Sequence, residues 1–465
     1  MKKCPSLDRN LLRSIVVLSW PTVVEQALHT GVMYIDTALV GHIGANASAA
    51  VGITSSSNWM IIGFFSAIGM GVISSIAKSM GAKNYDKVGN SLVQSIIISL
   101  IVGVVTAVIA VSISPFLPRL LGAEKKIEHD AFIYFFIISL ATPLRACAMI
   151  IGAALRATGN TRKPMMITIV SVFIKLLLSI FLISGTKKID LFGLNFVLPG
   201  MKLGVMGAGI ASAAGFIING LIMLRAVVKN RYFPKYNVNW KLNRGIISEY
   251  ARIGLPVAAQ KTVINLGHVV FTSLVSRLGT IALATHSIAL TAEEAFYIPG
   301  FGMQIAAATL AGNAVGQQDA KKLRKTTFAI SGVSASVMTI LATLLFIFPS
   351  TVMSLFTTDP GVIRGGATIL RIVAVSEPLF AMTIILEGVF NGVGDVKTPF
   401  IVLVSSMWGV RILWTLICVV VLGLGLQAVW VCMIADNIIR CILLFMVFTR
   451  RNWNEYLSGI STMRY

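Results

Sequence analysis

The sequence predicts an all-α integral membrane protein, with twelve transmembrane helices in two pseudo-symmetric six-helix lobes (a parallel repeat) around a central cavity. Three observations carry this prediction. Hydrophobic residues make up 56% of the 465 residues, charged residues only 12%, and mean hydropathy is +0.84. A soluble fold of this size cannot hide that much apolar surface. Apolar runs near the ~20 residues that cross a hydrocarbon core recur along the whole chain. Finally, the second half repeats the first.

The first six spans are expected at roughly 15–40, 51–77, 91–117, 131–155, 165–184 and 203–228. The second six are expected at roughly 250–275, 283–312, 327–349, 367–393, 399–422 and 427–448. The start, MKKCPSLDRNLLRS, is short, basic and polar, and no cleavable signal pattern follows it. The repeat aligns Trp20-Pro21 with Leu255-Pro256 (256 − 21 = 235) and Ile43-Gly44 with Leu278-Gly279. Met80-Gly81 aligns with Val315-Gly316, Pro143 and Pro164 with Pro378 and Pro399, and Gly159-Asn160 with Gly394-Asp395. The frame breaks near 185–203, where the first half holds about fifteen extra residues before the Met206-Gly207-Ala208 that matches Leu426-Gln427-Ala428. The halves are 1–235 and 236–465. Six spans is an even number, so both copies have one orientation and are related by an axis along the membrane normal, which is transporter architecture.

The formal net charge of +21 sits in short loops rather than one stripe, which argues against a nucleic-acid partner. About 23 basic residues fall in one set of alternate loops and termini. About eight (Arg119, Lys125, Lys126, Lys187, Lys188, Lys202, Arg277 and Arg364) fall in the other. That bias places both termini and the 229–249 loop in the cytoplasm, in a multi-pass cell (inner) membrane protein. Cys4, Cys147, Cys418, Cys432 and Cys441 have no metal-ligand spacing, and free thiols are expected. Glycine-rich runs such as GFGMQIAAATLAG and GVMGAGIASAAG lie within spans, where small residues let helices approach closely.

The stretch VEQALHTGVMYIDTALVG (24–41) places Glu25, His29 and Asp36 in a membrane segment. Their i, i+4, i+11 spacing puts them within about 40° on one helix face. Such a stripe belongs against a wet cavity, because an unpaired carboxylate in hydrocarbon costs several kcal/mol. A buried carboxyl that titrates near neutral pH can take a proton on one side and release it on the other. Met33 and Tyr34 neighbour the stripe and are candidate substrate contacts, though packing alone also accounts for them. The second half holds Lys261, His268, Glu293, Glu294, Glu377, Glu387, Arg411 and Asp436 within spans. Glu294 or Glu387 is a candidate to neutralise a cationic substrate, or to brace Arg411.

WPTVVEQALHTGVMYIDTALVGHIG (20–44), ATGNTRKP (157–164), PGFGMQIAAATLAGNAVGQ (299–317) and GVGDVKTP (392–399) together resemble the multidrug and toxic compound extrusion (MATE) family. The resemblance runs over essentially the whole chain. It implies efflux of amphipathic, often cationic compounds in exchange for protons or sodium ions, with Asp36 on the position of the family's coupling aspartate. Two departures stand out. Where many members carry Asn-x-x-x-Asp in the fifth helix, this chain has Lys175 and Ser179. Where one branch carries a seventh-helix glutamate used for sodium, it has Ile264. Both weigh toward proton rather than sodium coupling, with no cofactor and no metal. Lys175 is expected either to pair with Asp36 or to snorkel to an interface.

The reading is therefore an antiporter of small amphipathic substrates, embedded in lipid and expected to work as a monomer. The alternative is a flippase for a lipid-linked saccharide of the same superfamily. An enzyme is not expected, because His42 and His129 stand alone in loops without a catalytic partner.

Overall fold

The computed structural model describes residues 9–183, 185–191, 194–235 and 238–462, and gives side chains for these except 185–199 and 460–462. Lys2, Lys3, Cys4 and Ser184 lie outside the described residues.

In the first half α1 (Arg9–Gly41), α2 (Ala45–Gly81) and α3 (Tyr85–Ile113) are followed by the short α4 (Leu117–Leu120), then α5 (Lys125–Leu140), α6 (Thr142–Ala157) and α7 (Arg162–Ile183). A hairpin of β1 (Gly185–Leu191) and β2 (Leu194–Met201) leads to α8 (Gly204–Val228). The second half opens with α9 (Arg244–Ser276), α10 (Thr280–Phe296), α11 (Ile298–Gly316) and α12 (Ala320–Ile347). It continues with α13 (Pro349–Ser354), α14 (Pro360–Ala374), α15 (Glu377–Val393), α16 (Lys397–Ser406), α17 (Leu413–Leu416), α18 (Leu426–Arg450) and α19 (Trp453–Thr462).

Eight of these helices are long and apolar enough to cross a membrane, and the bent pairs α5/α6 and α14/α15 bring the number to ten. The polar-laden α9, with Lys261, and the pair α10/α11, with Glu293 and Glu294, complete twelve. The duplication is visible in the backbone itself. Helices α1 and α9 each run 33 residues with a proline inside, and their starts differ by 244 − 9 = 235. The same offset relates the positive-φ positions Gly44 and Gly279, Gly159 and Gly394, and Lys83 and Gln318. Two non-glycine residues held at φ 55° and 56° in matching turns show that each half keeps the same backbone path.

The structure differs from the sequence expectation in three places. Spans four, eight and ten are broken rather than continuous. The bends are 51° between α5 and α6 and 57° between α14 and α15, and Tyr297 separates α10 from α11. Pro143, Pro299 and Pro378 sit in the first turn of each second piece, where a missing N–H costs nothing and the ring prevents continuation. The eleventh span contains π-helical turns at Met407–Ile412 and Ile417–Val421. The chain is also not purely helical. The extra residues of the first half pair Asp190 with Asn195 in an antiparallel hairpin, so a segment outside the duplicated frame is free of the helical period.

The described chain forms two compact units. One holds Ala27–Val72 and Tyr85–Tyr250; the other holds Met1–Gln26, Ile73–Asn84 and Ala251–Tyr465. Their borders fall inside α1 and α2, so the first turns of α1 pack with second-half helices. Thr22 Oγ1 donates to the Gly302 carbonyl at 2.7 Å. The second unit ends in a clamp: Arg451 pairs with Asp395 and lies 5.0–5.5 Å from the rings of Phe390, Trp453 and Tyr456. Burial, then Asp395, push the Tyr456 phenol up.

Small residues set close helix contacts in this unit. Gly388 and Gly392 of α15 lie against the carbonyls of Gln304 and Ala308 of α11. A Cβ on Gly392 would stand 2.2 Å from the Ala308 oxygen. Gly392→Ala is therefore expected to force α11 and α15 apart and to destabilise by about 1–3 kcal/mol. Gly332→Ala, where a Cβ meets nothing within 4 Å, is expected to be neutral or slightly stabilising. Thermal unfolding in detergent micelles compares the two, and equal melting temperatures would refute the close-packing account.

Candidate functional site

Glu25 is buried at 8% exposure and belongs to one compact unit; His29 and Asp36 belong to the other. His29 is exposed and Asp36 half-buried. Met33 and Tyr34 are exposed at 42% and 36%. Of these groups, Asp36 takes part in a charged cluster of the first half.

That cluster is built by six helices. Lys175, on α7 and 9% exposed, sets its ammonium against Oδ2 of Asp36 on α1. The alkyl stem of Lys175 lies over Gly215 of α8, where a Cβ would approach to 3.0 Å, so the small residue makes room for the long side chain. The Phe216 ring sits 6.0 Å from the Lys175 ammonium and 4.3 Å from the Arg145 guanidinium of α6. Arg145 donates to Asn58 Oδ1 of α2 at 2.5 Å. Tyr134 of α5 acts electrostatically on both Asp36 and Arg145 and bonds Ser212. A carboxylate, an ammonium and a guanidinium share this site with two aromatic rings. Its formal charge is +1 with Asp36 ionised and +2 with Asp36 protonated.

Lys175 therefore takes the paired rather than the snorkelling arrangement, and Ser179, one turn further on, is 1% exposed. Arg145, Asn58 and Tyr134 were missed from sequence. Arg145 is the member with a detectable signal, a charge two residues after Pro143 inside an apolar run. Asn58 and Tyr134 gave none, since their relation to Asp36 depends on the helix packing.

The second unit holds different chemistry. Asp436 of α18, fully buried, receives Arg411 at 2.8 Å, Arg440 at 2.7 Å and the Ser406 hydroxyl. Arg411 also donates to Asn437 at 3.1 Å. Asp436 therefore fills the brace role considered for Glu294 or Glu387. Glu387 accepts from Gln260 of α9 at 2.7 Å. Glu294 is exposed, whereas its neighbour Glu293 is 1% exposed.

With this geometry in place, the comparisons are direct. The family model MatE matches residues 21–181 and again 256–417, two matches whose starts lie 235 residues apart. The chain belongs to the MatE family. These are membrane transporters, and the double match is the duplication seen in the helices. A probable multidrug resistance protein NorM of Thermotoga maritima is 25% identical over 454 residues, covering 95% of this chain and 93% of its own length. A solved outward-facing multidrug resistance MATE family transporter of the MOP superfamily shares the fold with a TM-score of 0.87 at 21% identity, over 99% of this chain and 100% of its own. A MOP superfamily transporter from Pyrococcus furiosus, described as having a binding pocket of reverse polarity, matches with a TM-score of 0.87 at 22% identity, over 98% of this chain and 100% of its own.

A close ion pair removed from bulk water resists the loss of one member more than the loss of both. Lys175→Met is expected to destabilise this MatE chain more than the double variant Lys175→Met/Asp36→Asn, with a coupling of about 1–3 kcal/mol. A double-mutant cycle of thermal unfolding in detergent checks it, and additive effects would show that the two groups do not interact.

Proposed function

We propose that this chain is a multidrug efflux antiporter that exports amphipathic, cationic compounds in exchange for protons. It works by alternating access between the six-helix lobes 1–235 and 236–465, as a monomer in the cell membrane with both termini cytoplasmic. The observation that carries the reading is the Asp36–Lys175 pair. With Asp36 ionised, the pair is closed. A proton on Asp36 removes the attraction, and the site, which also holds the Arg145 guanidinium, gains one positive charge. At an effective dielectric of about 20, an added unit charge about 8 Å from a bound cation raises its energy by roughly 2 kcal/mol. Protonation thus disfavours a bound cation, and loss of the proton lowers the site from +2 to +1, where apolar and aromatic contacts hold the substrate; this is antiport by charge competition. Phe216 and Tyr134 supply the aromatic surface suited to amphipathic compounds. Lys175 sits where a family cation site would need an oxygen ligand, which supports protons over sodium. Glu25, His29, Met33 and Tyr34 along α1, and Glu294 and Glu387 in the second half, are secondary candidates for coupling or substrate contact.

Arg145 together with Lys175 favours one second reading, the flippase for a lipid-linked saccharide. A site with two cations suits a phosphate headgroup, and protonation of Asp36 would then attract the substrate rather than expel it.

The test uses purified protein in liposomes that contain a pH-sensitive dye and hold an imposed proton gradient. Ethidium is added with and without sodium. For the antiporter, ethidium drives proton flux in the wild type, indifferent to sodium and lost in Asp36→Asn, while Lys175→Asn changes its pH dependence. Flux that requires sodium would overturn the proton reading. Absence of ethidium-linked flux, together with movement of a fluorescent phosphate-headed lipid between leaflets, would replace it with the flippase.

A further inference from the structure

Two cysteines flank the turn between the last two spans and have no role in the proposed coupling. Cys418 lies in the π-helical turn Ile417–Val421, and Cys432 lies in the second turn of α18. Their sulfurs stand 3.8 Å apart, and both are free thiols. Two sulfurs in contact are one covalent step from a disulfide. Packing of two small apolar side chains would account for the contact alone, so the surroundings decide what the pair can do.

The backbone holds the two sulfurs in register. The Cys418 carbonyl accepts from the Leu424 N–H at 2.8 Å, and Gly423, at φ 62°, turns the chain back. Beside the cysteines, Val419 and Leu426 pack on the core formed by Val429, Trp430 and Met433. The thiols therefore meet across a seam that the turn has already closed. Cys418 is half-buried, whereas Cys432 is 6% exposed. One thiol is reachable and the other lies beneath it, which suits an attacking thiol and a resolving thiol. Two other cysteines are placed differently. Cys147 of α6 takes the Ser99 hydroxyl at 3.4 Å, and Cys441 is buried nine residues further along α18 (441 − 432 = 9).

The turn 422–425 has no charged residue, whereas the opposite ends of the same spans carry Lys397, Arg450 and Arg451. That bias places the turn on the outer face, where disulfides form and persist. This placement rests on the proposed orientation with both termini cytoplasmic; the thiol contact does not. We infer that Cys418 and Cys432 form a redox modification site. A low-molecular-weight disulfide outside the membrane converts them to an intramolecular disulfide, which ties the end of the eleventh span to the start of the twelfth. The Cys418 thiolate, its proton lost to water, attacks one sulfur of the small disulfide and releases the first thiolate. The Cys432 sulfur then attacks Cys418 of the mixed disulfide, passes its proton to solvent, forms the bridge and releases the second thiolate. Two protein thiols are oxidised, and one small disulfide is reduced to two thiols. The bridge spans Gly423 and the π-helical turn, the compliant part of this connection.

The test treats the purified full chain with oxidised glutathione, alkylates it and cuts it with trypsin. Peptide 412–440, bounded by Arg411 and Arg440, holds Cys418 and Cys432 and no other cysteine. The expected peptide is unalkylated and two hydrogens lighter than its reduced form, and dithiothreitol restores two alkylated thiols. The oxidised chain is also expected to melt above the reduced chain, a difference absent in Cys418→Ser and in Cys432→Ser. A peptide that keeps both thiols free, or that carries glutathione without a bridge, overturns the inference. So does a bridge with no effect on melting. If either serine variant does not fold, the mass and the melting of the wild type still decide. Oxidised glutathione added to intact cells that express the chain stays outside, and the bridge is expected there too. A bridge formed in purified protein but not on intact cells overturns the outer placement instead. A failure of the antiporter reading leaves the peptide masses unchanged, so the outcomes are separable.

Discussion

The constraint on which this structure depends is the cost of an unpaired charge in a medium without water. Each half answers it with its own network. In the first half the Asp36 carboxylate faces the Lys175 ammonium, and Arg145 is satisfied by the Asn58 amide oxygen and the Phe216 face. In the second half a single aspartate, Asp436, holds two arginines, and the buried Glu293 accepts from the Tyr297 hydroxyl. These arrangements allow a chain with a formal charge of +21 to keep a few ionisable groups within its spans, while the rest of its basic residues collect at helix ends and loops. A paired charge is stable in place, and it is also poised, because one proton changes the balance of the whole network.

Duplication supplied the frame for both networks, and divergence supplied the chemistry. Under the 235-residue offset, Asp36 corresponds to Phe271 and Lys175 to Val410, so the first-half ion pair has no copy in the second. Asn58 corresponds to Glu293, and Arg145 to Phe380. The same position on the second span of each half is thus an acceptor. In the first half it receives a guanidinium from the span that follows the matching proline. In the second half the arginine is absent, Phe380 packs on Tyr297 at 4.7 Å, and the acceptor takes the Tyr297 hydroxyl instead.

Much of this frame was legible in the sequence, because hydropathy and the spacing of prolines and glycines are properties of the backbone. The offset between Pro21 and Pro256 foretold two helices of equal length, and Gly159 and Gly394 foretold matching turns. The helix breaks were hidden, since a broken span and a straight one have the same apolar content. Only the prolines in the first turn of α6, α11 and α15 mark them. Of the site, Asp36 and Lys175 were readable as departures from an apolar face. Asn58 and Tyr134 were not, because an amide or a phenol in a span is unremarkable until the packing shows what it touches. The adjacent pair Glu293 and Glu294 makes the same point: neighbouring residues lie 100° apart on a helix, and only the packing decides which one is buried.

The glycine contacts give these electrostatic networks their mechanical effect. Helices α11 and α15 touch backbone to backbone at Gly388 and Gly392, without side chains that would cushion a small shift. Close-packed surfaces of that kind slide or separate as units, because partial displacement loses contact along the whole seam. Both helices begin at a break, one next to Tyr297 and the other at Glu377. Those starts therefore belong to two rods that are packed backbone to backbone. The same reasoning applies to Lys175, whose stem fills the space above Gly215: releasing its ammonium from Asp36 displaces a long side chain from a fitted groove.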